Sequence, residues 1–275
     1  MKTVPLAPYH DDEGNRIEYS GAPSEAVQIT FRGRNNVARI HADAHATKLQ
    51  VDFNADNGTF ELGANPKRRG FAAQVRVGQD STVRIADGVS ATSKVIISAV
   101  EGVTVEIGQD TMFASNNQVR ADDGHPIFDV RTGERLNLAQ SIRIGAHTWL
   151  GWGAIVLAGV EIGEGSVVGA NSIVTRSIPN NVIAAGSPAT VIRTDIAWER
   201  PHLGLTKPFY KPHVSTVKRS KYWRRTDPDF TADALVTTPP PTARQGRPAS
   251  GRRLPLASAR RLSRRLGRVL RDRVG

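Results

Sequence analysis

A chain of 275 residues, 39% of them hydrophobic, is long enough for one large or two small domains with a core. The absence of cysteine removes disulfides, cysteine nucleophiles and thiolate metal sites together. The net charge of +11 is concentrated: Arg244 to Gly275 holds eleven arginines and one acid, Asp272, so residues 1–243 carry only +1 and any polyanion argument concerns the tail.

The N-terminus lacks the continuous apolar run of a signal peptide, and no later stretch approaches ~20 apolar residues, which points to a cytoplasmic protein. Residues 1–26 read as a polar lead-in. Val27, Ile29 and Phe31 alternate like a strand, as do Leu49, Val51 and Phe53, with turn-rich breaks at Arg32 to Asn36, at Asn57-Gly58 and at Gly63 to Gly70. His41 and His45 have the spacing of two ligands on a helix face, but the chain around them reads as strand and the pair as incidental, so no metal is expected.

From Val77 an aliphatic phase of six begins, at Val83, Val89 and Val95, then Glu101 as an exception, then Ile107, Phe113 and Val119 before landing on His125. The count breaks there and resumes at Ile144, so the segment 126–143 is expected to be extruded as a loop. Ile144, Leu150, Val156, Ile162, Val168 and Val174 then keep the phase without a slip, with Gly145, Gly151, Gly163 and Gly169 directly after four of them. A strict six cannot keep one face of an α-helix buried. It suits a parallel β-helix of hexapeptide repeats, three to a triangular coil of eighteen residues, over 27–193, and 6% aromatic content agrees with a narrow interior. The outward residues Trp149, Ile155, Glu161, Val167, Ile173 and Pro179 would stack eighteen apart, Trp149 on Val167, Ile155 on Ile173 and Glu161 on Pro179. Two of those faces would be apolar and need covering, by a homo-oligomer with help from the chain that follows.

Val191-Ile192-Arg193 reads as the last strand. Residues 194–236, with Trp198, Phe209, Tyr210, Tyr222 and Trp223, read as an extension packed on the solenoid, and 237–275 as a Pro-rich linker and basic tail. In that tail Leu262, Leu266, Val269 and Leu270 fall on one helical face among arginines, the pattern of a helix lying on an anionic membrane. A solvated basic tail is the plain alternative. Nucleic-acid binding is not expected, because no aromatic residue is interleaved with the arginines.

Asp123-Gly-His-Pro-Ile127, Thr132-Gly-Glu-Arg135, Ile144-Gly-x-His-x-Trp-Leu-Gly151, Val174-Thr-Arg-x-Ile-Pro179 and Ala185-Gly-Ser-Pro-Ala189 together resemble the hexapeptide-repeat acyltransferases, within them the sugar and polysaccharide O-acetyltransferases. The resemblance implies a left-handed coil, a homotrimer with active sites between subunits, acetyl-CoA as co-substrate and a glycan acceptor. It further implies His125 as general base and Trp149 near the thiol end of coenzyme A. Trp152 and Ala170 would line the pantetheine arm, and Thr175, Arg176 and Arg193 would lie near the adenosine and its phosphates. Trp152 departs from the small residue often found at its position. Asp123 and His147 are candidates for the acceptor side, His147 as a surface residue at a coil corner, and Asp122 or Asp123 could orient His125.

Chemistry supports the base: an alcohol needs its proton removed as it attacks a thioester, and imidazole titrates near neutrality. The resulting expectation is an O-acetyltransferase. N-acetylation of an amino sugar or xenobiotic, a hydratase using histidines from adjoining subunits around a metal, and a non-catalytic scaffold stay open as alternatives.

Overall fold

The computed structural model describes residues 1–67 and 69–230; the expected linker, basic tail and interfacial helix lie outside the described residues. Among the described residues there is no α-helix and one short 3-10 turn, Val214–Thr216. The described residues wind as a parallel β-solenoid with three sheets for faces, two of eight strands and one of six among them. On the first face Ser24–Phe31, Ala46–Phe53, Phe71–Val77, Val95–Ala99, Gln118–Arg120, Ile155–Leu157 and Ile173–Val174 stack in parallel. The second face carries Val37–Ile40 through Glu161–Ile162, and the third carries Ser90–Ala91, Met112–Phe113, Trp149–Leu150, Val167–Val168 and Ile183–Gly186.

The eighteen-residue coil is real but local. Val156 stacks on Val174 and Leu150 on Val168, eighteen residues on. Upstream, Val75 stacks on Ile97 and Val77 on Ala99, a coil of 22. The six-residue phase marked residues that are indeed buried, Val77, Val83, Val89 and Val95 among them. It missed that early strands present more than one inward residue, as Val83 and Ile85 do together on the second face. Wider coils also hold rings: Phe53, Phe60, Phe71 and Phe113 are fully buried, and Tyr9, Phe31 and Phe53 stack at 5.6 and 5.2 Å. The interior is therefore not too narrow for aromatics at the N-terminal end.

The lead-in is a cap. Lys2–Leu6 pairs antiparallel with Ser24–Phe31, and Tyr9–His10 with Arg16–Glu18, which itself joins the second face in parallel. Leu6, Asn15 and Ile17 are buried in it. An exposed first coil would offer open strand edges, and these strands cover them. The far end closes similarly, with Ala189–Arg193 turned back antiparallel on Ile183–Gly186.

The glycines after the inward aliphatic residues are required by coil spacing. A Cβ at Gly145 would sit 2.5 Å from the Glu164 nitrogen, and one at Gly151 2.8 Å from that of Ala170. The left-handed backbone comes two residues later, at His147, Gly153, Gly165 and Asn171.

Outward on the second face, Glu18, Arg39, Glu61, Arg84, Glu106, Arg143 and Glu161 occupy successive rungs, acid and base alternating. Arg39 bonds both Glu18 and Glu61, at 2.9 and 3.1 Å, and Arg84 bonds Glu61 at 2.6 Å. Trp149 does stack on Val167 and Ile155 on Ile173. Glu161 does not lie against Pro179: the last turn is shorter, Ile162 bridges Ile178, and the Glu161 amide donates to the Ser177 hydroxyl.

Candidate active site

On the first face the chain reaches Gln118–Arg120 and then leaves the solenoid over residues 121–141, re-entering as Ile142–Ile144 on the second. Arg143 thus belongs to a strand rather than to the loop, and Ile142 is inward on Val105. At the exit Asp122 is buried, its carboxylate held by Arg76 and the Ser98 hydroxyl, and it accepts from the Gly124 amide at 3.0 Å. Its carboxylate is committed to Arg76 and Ser98 rather than to the His125 ring, so the expectation that Asp122 orients the ring does not hold. Burial of a carboxylate demands such partners.

His125 follows at once and is exposed. Its backbone is clamped by Asn137 from the returning limb of the loop. The Asn137 amide nitrogen donates to the His125 carbonyl and to Asp123, each at 2.9 Å, and its oxygen accepts from the Ile127 amide at 2.7 Å. Arg135 bonds the Asn137 carbonyl at 3.2 Å and pairs with Glu101 at 2.5 Å. Glu101, the exception to the six-residue phase, is therefore an anchor for the loop, and the Arg135 hydrogen bond holds its carboxyl below the usual range. Asn137, Arg76 and Ser98 carried no periodic signal in sequence, since their partners are 10 to 46 residues away.

The other candidates are spread over the corners and ends of the solenoid. Trp149 opens a third-face strand and is 38% exposed; Trp152 and Ala170 occupy stacked positions on the corner from third to first face, joined by the Asn171 amide donating to the Trp152 carbonyl at 2.7 Å. Thr175 and Arg176 are exposed on the corner from first to second face, the corner from which the His125 loop also leaves. Arg193 is exposed at the end of the closing hairpin, opposite Ile183. Within one chain, His125 and Trp149 stand on different edges of the solenoid.

His147 is not a surface residue. It is 2% exposed, sandwiched between Trp198 at 4.1 Å and Tyr222 at 4.6 Å, rings nearly parallel. Nδ1 lies 2.7 Å from Asp110 and Nε2 3.0 Å from the Trp198 carbonyl. An acceptor faces each ring nitrogen, so no nitrogen is left for an acceptor sugar or a metal. Burial would raise the Asp110 carboxyl, but the His147 bond and the charges of Arg200, His147 and Arg69 outweigh it and hold it at about 2. The residues after Arg193 are thereby fixed to the corner from second to third face: Gln109 bonds the Tyr222 hydroxyl, Asn181 the carbonyls of Ile196 and Tyr222, and Trp198 leans on Trp149 at 5.8 Å.

Residues 141–176 match the family model described as the hexapeptide repeat of succinyl-transferase. The chain is 35% identical over 137 residues to a polysialic acid O-acetyltransferase of Escherichia coli O1:K1 / APEC, covering 46% of this chain and 45% of that one. It is 40% identical over 99 residues to the galactoside O-acetyltransferase of Escherichia coli K12, covering 35% and 47%. The chain thus spans about half the length of these curated relatives. The crystal structure of the polySia specific acetyltransferase NeuO superposes with a TM-score of 0.61 at 30% identity, over 69% of this chain and 90% of that one. With the solenoid, the extruded loop and a likeness over nearly the whole of a solved relative in agreement, the chain belongs to the hexapeptide-repeat acetyltransferases.

Proposed function

We propose that the protein transfers an acetyl group from acetyl-CoA to a hydroxyl of a sugar or cell-surface polysaccharide. The observation that carries this reading is His125: an exposed imidazole on a segment that Asn137 holds at the His125 carbonyl, the Ile127 amide and the Asp123 carboxylate, at the mouth of a loop anchored to the coil by Arg135 and Glu101. Family membership and relatives named for O-acetylation of polysialic acid and galactosides supply the reaction class. In the step itself the ring takes the proton of the acceptor hydroxyl as its oxygen bonds to the thioester carbonyl carbon. The tetrahedral adduct then collapses, the carbon–sulfur bond breaks, and the proton passes to the departing coenzyme A thiolate.

Trp149, Trp152, Ala170, Thr175, Arg176 and Arg193 form the coenzyme side in this reading. Because His125 and Trp149 occupy different edges of one solenoid, a site that uses both draws them from neighbouring protomers, which supports a homotrimer. The half-buried apolar rows at Ile155, Val167 and Ile173 support the same assembly. The reading assigns the enzyme to the cytoplasm, where acetyl-CoA is available, and needs no metal. His147, the second histidine of a hydratase reading, has both ring nitrogens engaged.

Mass spectrometry of candidate glycans incubated with acetyl-CoA and the protein tests the proposal. Gain of one base-labile acetyl group is the expected result. A base-stable amide product would move the assignment to amine acceptors, and no transfer to any glycan would remove it.

A further inference from the structure

Residues 202–211 form a loop turned inside out. Lys211 folds its ammonium inward onto the loop's own carbonyls, at 2.7 Å from Thr206, 2.8 Å from Pro208 and 3.4 Å from His202. The Gly204 amide bonds His202 Nδ1 at 3.1 Å and the Thr206 amide the His202 carbonyl at 3.1 Å. The apolar side chains point the other way: Leu203, Leu205, Phe209 and Tyr210 are 67, 80, 52 and 87% exposed. A solvated surface loop ordinarily does the reverse, hiding its aliphatic stems and extending its lysine head groups. Four large apolar residues held out on a loop closed by its own hydrogen bonds mark a contact site.

The charge around this knob selects the partner. Residues 201–226 contain three arginines and, besides the inward Lys211, three lysines, with no acid, and of the three arginines Arg224 alone pairs with a carboxylate of the solenoid, Glu164. Two of these cations also lie over rings at the surface, Arg219 over Trp223 at 4.9 Å and Lys207 over Phe209 at 5.9 Å. Apolar and aromatic tips set in a cationic segment match a bilayer with anionic head groups, where rings and leucines enter the interface and lysines and arginines meet phosphates. A second copy of the same segment would bring like charges together. The extension is fixed to the solenoid by the His147–Trp198–Tyr222 stack, so insertion of this loop would position the whole catalytic body rather than a flexible appendage.

We infer that the 202–211 loop is a membrane-docking surface that inserts Leu203, Leu205, Phe209 and Tyr210 into an anionic bilayer. This inference rests on the extension alone and stands or falls independently of the acetyl-transfer reading.

The chain has no cysteine, so Tyr210→Cys in the full-length protein takes a single environment-sensitive nitrobenzoxadiazole label. On adding vesicles of phosphatidylcholine containing phosphatidylglycerol, the label's emission should rise and shift to the blue, and acyl chains carrying a nitroxide should quench it; phosphatidylcholine alone should do neither. Replacing Leu203, Leu205 and Phe209 together by Ser, positions exposed enough to leave thermal unfolding unchanged, should weaken sedimentation with the anionic vesicles about tenfold at a salt concentration that screens surface charge. Unchanged emission while the protein still sediments would overturn the inference in favour of the basic tail. A blue shift that depends on protein concentration without vesicles would overturn it in favour of contact between copies.

Discussion

His147 and Trp198 bond each other twice: the imidazole Nε2 donates to the Trp198 carbonyl at 3.0 Å, and the indole N–H returns a bond to the His147 carbonyl at 2.8 Å, while the two rings stack at 4.1 Å. This reciprocal pair joins a coil corner to the chain that follows the solenoid. His147→Phe keeps the stack and loses the ring's hydrogen bonds, leaving the Trp198 carbonyl without its donor. A loss of about 1–3 kcal/mol is expected from such a buried pair, read by urea unfolding, with faster proteolysis between residues 195 and 230. An unchanged midpoint and unchanged cleavage would mean that stacking alone holds the extension.

Asp110 makes the same junction sensitive to acid. Burial pushes its carboxyl up, but His147, Arg200 and Arg69 hold it at about 2 against an ordinary 3.8. A depressed carboxylate contributes stability that is complete above its unfolded value and lost as pH falls through its folded one. The window is therefore between about pH 4 and about pH 2, and because solvent reaches the half-buried carboxylate the contribution is on the order of 1 kcal/mol. Asp110→Asn should lower stability at neutral pH and flatten that part of the curve; an equal acid slope in wild type and variant would assign the loss to other carboxylates.

For acetyl transfer, His125→Ala should lower kcat by about 10²–10⁴ while coenzyme A affinity stays near wild type, because the base acts on the acceptor. Single-turnover transfer and equilibrium binding separate the two quantities. Turnover within a few-fold of wild type would sink the assignment of His125.

Asn137→Ala removes the four side-chain hydrogen bonds of Asn137, with Ile127, Arg135, Asp123 and His125, and keeps the imidazole itself while loosening its position. The expected outcome is a fall in kcat of about tenfold, with KM for acetyl-CoA and thermal stability little changed, since a misplacement of a catalytic group costs rate even when every group is present. If kcat holds and only the melting temperature falls, Asn137 is a structural staple and not a positioning residue.

Replacing Arg176 and Arg193 should raise KM for acetyl-CoA through loss of charge-assisted phosphate contacts. Comparison with dephospho-coenzyme A is informative, because equal discrimination in wild type and variants would show that neither arginine reads the 3′-phosphate.

The solenoid was legible because a six-residue phase is local: each hexapeptide carries its own inward aliphatic residue, and Ile144 to Val174 kept that phase without error. Coil width was not, since Val77 and Ala99 pair 22 residues apart and the extra four are absorbed as second inward positions that a count of six passes over. The cap at residues 2–18 was illegible for a related reason, its burial resting on Leu6, Asn15 and Ile17 in a segment otherwise polar. That His125 stands where the chain leaves the solenoid could be read from the broken phase, whereas its role as base rests on the family resemblance alone. The fate of His147 could not, because its partners Asp110, Trp198 and Tyr222 are 37, 51 and 75 residues distant and only the folded corner brings them together.

The alternating rungs of the second face impose a rule of parity on how this protein can change length. Deleting the coil that carries Glu61 would set Arg39 against Arg84, and deleting the one that carries Arg84 would set Glu61 against Glu106, like charges on adjacent strands either way. Deleting both would restore Arg39 beside Glu106. Coils on this face are therefore exchangeable in twos, and a two-coil deletion should lose less stability per coil removed than either single deletion, a comparison that unfolding midpoints of the three variants decide.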